Sequence, residues 1–176
     1  MSMYPIATSG VLTGSTNSVT FSSIPSQYKH LQIRAYTRLT GASSLQSNLV
    51  YFNGDGGANY ASHRMYTTGT AGTSQGFTSQ TFMIMSGIPA ANDLANTFGL
   101  SIVDIDDANS TTKFKTLKVF SGASCNTGDG QAHMQSGLWR NNNAINSILI
   151  ASGTGNFAQY SRIELYGILA ATATGA

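Results

Sequence analysis

A chain with almost no charge and no sustained helical periodicity is confined to a narrow set of folds. Only 9% of the residues are Asp, Glu, Lys or Arg, against about 25% in an average soluble domain. Glu occurs once, at Glu164. Apolar residues do not recur at i, i+3, i+4 and i+7. They alternate with Ser, Thr, Asn and Gln, which is the period of a strand with one buried face. Ser, Thr, Asn, Gln and Gly make up close to half of the chain. Neutral polar groups cost little to desolvate, whereas a freely diffusing enzyme keeps itself apart from other proteins with charge. The chain reads as a β-rich part built to pack against other proteins.

The strand pattern begins at Ser18, where Val19 and Phe21 alternate with Ser18, Thr20 and Ser22 before Ile24-Pro25. Leu31, Ile33 and Ala35 alternate with Gln32, Arg34 and Tyr36. Leu49 to Phe52 is apolar on both faces and stops at Asn53-Gly54-Asp55-Gly56-Gly57, a sequence that tolerates positive φ and so marks a turn. Further strands read at Phe82–Met85, Thr97–Ile105, Phe114–Phe120, His133–Trp139, Ile145–Ile150 and Ile163–Ile168. In the last, Ile163 and Leu165 point one way, and Arg162 and Glu164 lie side by side on the other face. The best helical stretch is Ala90 to Asn96, about two turns at most.

Roughly eight to ten short strands with polar turns predict an all-β antiparallel sandwich. The count fits a jelly roll better than an immunoglobulin sandwich, whose cysteine pair is missing: Cys125 is the only cysteine. The expected organisation is an extended N-terminal arm over 1–17, a jelly-roll-like domain over 18–169 and a flexible tail over 170–176. Gly69–Gly76 and Gly122–Gly130 read as flexible loops. The N-terminal residues carry neither the basic nor the apolar stretch of a signal peptide, and no apolar run approaches the length that crosses a membrane.

Net charge is +2, from nine Lys and Arg against seven acids. The densest basic group is Lys113, Lys115 and Lys118. Three lysines are a thin footprint for nucleic acid, so they read as guards on an edge strand, and neither nucleic acid nor membrane is expected as a partner.

Catalytic and metal chemistry is weakly represented. His30, His63 and His133 lack partners at ligand spacing. Asp104, Asp106, Asp107 and Asn109 cluster hard oxygens, but without the glycine and distal Glu of a calcium-binding loop. The same run sits beside a turn, a poor place for paired glycosidase carboxylates. Gly54-Asp-Gly-Gly57 lacks the Lys-Ser/Thr of a phosphate loop. No enzyme, cofactor or metal is expected. Two groups stand out as interface or glycan candidates. Trp139, with Arg140 and Asn141–Asn143, reads first as closing the core at a strand end, and otherwise as a sugar-stacking platform. Tyr60, His63 and Arg64, with Tyr66, are types enriched in interface hot spots.

Several stretches resemble a family of small tailed-phage virion proteins. They are Phe52-Asn-Gly-Asp55 with Asn59-Tyr60, Asn96-Thr-Phe-Gly99, Ser136-Gly-Leu-Trp-Arg140, and Gly155-Asn-Phe-Ala-Gln-Tyr-Ser161 closing on Leu165-Tyr-Gly-Ile168. Tyr4-Pro-Ile-Ala and Phe21-Ser-Ser-Ile-Pro25 are similar too. The resemblance covers nearly the whole chain and implies a structural role in the virion, on head or tail, with no catalytic residues. The expected role is decoration or cementing of the capsid surface through the major capsid protein or other virion proteins, after assembly in the host cytoplasm. A homotrimer at lattice three-folds is the preferred assembly. The alternative is a tail-tip or fibre module that binds a host-surface glycan through Trp139 or Tyr60.

Overall fold

The computed structural model describes residues 2–125 and 130–170. Twelve strands are present among them: β1 Met3–Thr8, β2 Ser18–Phe21, β3 His30–Thr37, β4 Leu45–Phe52, β5 Tyr60–Thr68, β6 Ala71–Gln80, β7 Met83–Pro89, β8 Gly99–Asp106, β9 Lys115–Ala123, β10 Gln131–Trp139, β11 Ile148–Ser152 and β12 Arg162–Ile168. They form two sheets. The larger has the order β1-β12-β3-β8-β9-β10-β5-β6, and the smaller β2-β11-β4-β7. All neighbours are antiparallel. The architecture is an all-β antiparallel sandwich.

Alternation in sequence becomes alternation in burial. In β3, Leu31, Ile33, Ala35 and Thr37 are buried while Arg34 and Tyr36 are exposed. In β12, Ile163 and Leu165 face the core, and Arg162 Nε lies 3.3 Å from Glu164 Oε1 on the outer face. The core fills the space between the sheets with Phe52, Tyr60, Met85, Leu117, Trp139, Ile148, Ile150 and their neighbours. Each such side chain, fully buried, contributes about 1.5–3 kcal/mol of transfer free energy. The sheets come close at Gly137, where a Cβ would overlap the Met83 side chain.

Several expectations are corrected. The N-terminal segment is extended, but its first part belongs to the large sheet and is not separate from the domain over 18–169. Residues 3–8 pair with β12 as the outermost strand of the large sheet, and Leu12 N donates to Ser161 O at 2.9 Å. Gly69–Gly76 is not a loop: its first residues make the tight turn between β5 and β6, and the rest is β6. Ala90–Asn96 forms turns, not a helix. Arg38 explains why: its guanidinium donates to the carbonyls of Asp93, Leu94 and Thr97 at 2.8–3.0 Å, so this segment's acceptors are met without helical bonds. The lysine-bearing strand is not an edge, because β9 lies between β8 and β10. Gly122–Gly130 and the tail fall partly outside the described residues.

Candidate interaction surface

The small sheet covers only one face of the large sheet. The other face is open, and strand register sorts its side chains into rows. One row runs Arg34, Ile102, Phe120, Met134, Met65, Ser74 from β3 to β6. Three of its apolar members are exposed, Phe120 by 59%, Met65 by 58% and Met134 by 54%, while Ile102 is half-buried. Alongside, Leu100 and Tyr36 are also exposed, with Tyr36 stacked on Phe98 at 4.9 Å. The opposite flank is polar: Gln32, Asp104, Lys118, Ser136, His63 and Gly76. A groove of about 740 Å³ runs between the two rows. It exists because β6 presents only Gly72, Ser74 and Gly76 on this face, while Met65 and Met134 stand proud of the sheet. Contiguous exposed apolar surface bounded by polar groups marks a contact site.

On the inner face, where β5 runs beyond the small sheet, Arg64, Tyr66 and His133 meet Ser47 and Ser86 around a polar cavity of about 240 Å³. Arg64 donates to Gln75 Oε1 through Nε and Nη2 at 3.0 and 2.6 Å, and to Ser86 Oγ at 3.3 Å. Its guanidinium lies over the Phe77 and Tyr66 rings at 4.7 and 5.1 Å. His133 is buried with neither ring nitrogen hydrogen-bonded. Burial, with the Arg64 charge beside it, pulls its pKa from 6.5 down to about 4, so the ring is neutral at pH 7.

The sequence-predicted groups are redistributed. Trp139 and Tyr60 are completely buried and stack at 6.4 Å between centroids. Neither can stack on a sugar. They anchor the Asn53–Gly57 turn: Trp139 Nε1 donates to Asp55 Oδ2 at 2.7 Å, and Tyr60 Oη to Asp55 O at 3.0 Å. Burial raises the Asp55 carboxyl, but donors from Trp139, Gly57 and Asn59 outweigh it and hold the pKa below the ordinary carboxylate value. Arg140 is exposed and donates to Ala58 O at 2.5 Å, clamping the same loop. His63 lies on the open face and Arg64 on the inner one, so the polar-aromatic group is divided by the sheet.

The acidic and basic clusters also separate. Asp104 accepts from Gln32 Nε2 at 2.8 Å, Asp106 lies 3.2 Å from His30 Nδ1, and Asp107 pairs with Lys113 at 2.8 Å and Lys29 at 3.5 Å. Among the described residues no three His, Cys, Asp or Glu converge as a metal site would require. Lys115 is buried. Its Nζ caps the carbonyls of Ser110 and Lys113 at 2.8 and 2.9 Å, and burial lowers its pKa. The three lysines therefore form no shared basic patch.

Sequence reasoning missed the apolar row. The signal was present, because Ile102, Phe120 and Met134 each sit on the polar phase of an alternating strand. Only the register shows that they align. No family model matches the chain, nor does any curated protein or solved structure.

Proposed function

We propose that this chain is a non-enzymatic phage virion protein that decorates or cements the capsid by laying the open face of its large sheet on the major capsid protein lattice. The exposed Phe120, Met134 and Met65, continued by half-buried Ile102, carry the reading. Apolar side chains held on a rigid sheet lose little entropy when covered, and each contributes about 1.5–3 kcal/mol on full burial. A subunit that binds only the assembled lattice stabilises it by mass action. The weak surface charge and the resemblance to virion proteins support the same role. The strand order supports a jelly roll: β2-β11-β4-β7 is one sheet of that scaffold, and β3, β10, β5 and β6 follow the order of its other sheet, with the β8–β9 hairpin inserted between β3 and β10 and β12 and β1 added at the flank. The glycan-binding alternative loses its two stacking rings to the core. The homotrimer expected at lattice three-folds is less well matched by the sheet edges than a two-fold.

Phe120→Glu places a charge in the middle of the row without touching the core. Capsids that lack the protein are expected to rupture at lower temperature or osmotic stress. Wild-type protein restores the threshold, whereas the Glu variant, equally stable in urea, does not. Equal rupture thresholds with and without the wild-type protein would refute cementing. Immunogold labelling confined to the tail tip would move the role off the head.

A further inference from the structure

We propose that β6 is a self-pairing edge through which two copies of this chain join their large sheets about a two-fold axis. An unpaired strand edge is a row of free N–H and C=O groups, and stable proteins normally blunt such rows. Three of the four edges here are blunted. β1 carries Pro5 and a register break between Pro5 and Ala7. β2 has four residues. β7 is buried along nearly its whole length, with Gly87 at φ 74° and Pro89 at its end. In β6 such features are confined to the far end, where Ser79 has φ 56°. It is ten residues long and exposed from Ala71 through Gly76, it has no proline, and its only register break lies at the far end, opposite Tyr60–Ser62. Among the described residues no strand pairs with its second side.

The absence of charge identifies the occupant. From Met65 to Asn92 there is no Asp, Glu, Lys or Arg. In antiparallel pairing about a two-fold, a strand meets itself, so any charge on it would face its own copy. Ala71-Gly-Thr-Ser-Gln-Gly76 brings only neutral groups together. The other edges are unfit to receive β6, which disfavours a head-to-tail ring and with it the trimer. Ser74 ends the apolar row at β6, so pairing would also bring the rows of two copies together across the joint. The inference does not depend on a virion role.

The test is sedimentation equilibrium of the full chain with two single variants, Thr73→Lys and Ser74→Lys, which put a charge on opposite faces of β6. Both positions are exposed, so far-UV circular dichroism should be unchanged. Wild-type protein is expected at twice the 18.5 kDa chain mass. Each Lys variant should self-associate at least about tenfold more weakly, because like charges then lie close across the pair. Mixing Ser74→Lys with Ser74→Glu should restore the dimer. A monomeric wild type, a mass of three chains, or Lys variants that dimerise as well as wild type would each overturn self-pairing. Failure of capsid binding with the dimer intact would count against the virion role alone.

Discussion

His133 shows how a single residue ties this fold to pH. The native pKa of about 4 lies below the value of about 6.5 for an exposed imidazole. As pH falls, the unfolded chain binds the proton first, so unfolding is favoured. The contribution is complete above about pH 6.5 and drains away down to about pH 4, with a ceiling of roughly 3 kcal/mol. Urea midpoints measured at pH 7.5 and 4.5 should therefore fall, and His133→Leu should shrink the fall. Equal losses in wild type and variant would show that the ring does not control this window. Asp55 acts at lower pH and in the same direction: its depressed pKa stabilises the native state above the unfolded carboxylate value, and that stabilisation is lost as the carboxyl protonates. At this scale the sequence was partly legible. A lone Trp at a strand end read correctly as a core plug. Its alliance with Asp55 did not, because 84 positions separate them.

Elements were legible where one face is buried and illegible where neither is. β3, β8, β9, β10 and β12 show clean alternation because the small sheet covers one side of each. β5 and β6 were missed because the second half of β5 and most of β6 lie beyond the small sheet, where nothing selects apolar residues at every second position. β1 was missed because, as an outer strand with only Ile6 and Ala7 half-covered, it needs little hydrophobicity. The 90–97 segment failed for a different reason: a distant guanidinium replaced the helical bonds. Arg38→Lys keeps the charge but loses the planar fork. It should destabilise the protein by about 1–3 kcal/mol through unsatisfied carbonyls, with amide exchange accelerating in 90–97 more than in the β3–β8 pairing. Uniform acceleration would mean that Arg38 does not hold this segment.

For the whole molecule, composition pointed to the architecture before any element was placed. Low charge, many turns and strand periodicity leave a sandwich as the economical solution. The open face is what composition could not reveal, since an apolar residue on the polar phase of one strand looks accidental until four strands align. The same asymmetry has a mechanical side. Met3 sits opposite Ile168, at the entrance of β1 and the exit of β12, so tension between the two ends of the fold peels that ladder open one rung at a time. Strands loaded in this way yield at far lower force than strands slid past one another. Pulling between residues 3 and 168 by optical tweezers should unravel the sandwich at low force, and a high rupture force would contradict zipper loading. A protein with such a seam resists stress well only if the load enters elsewhere. The broad face of the large sheet, where force is spread across many ladders at once, is the side able to bear it.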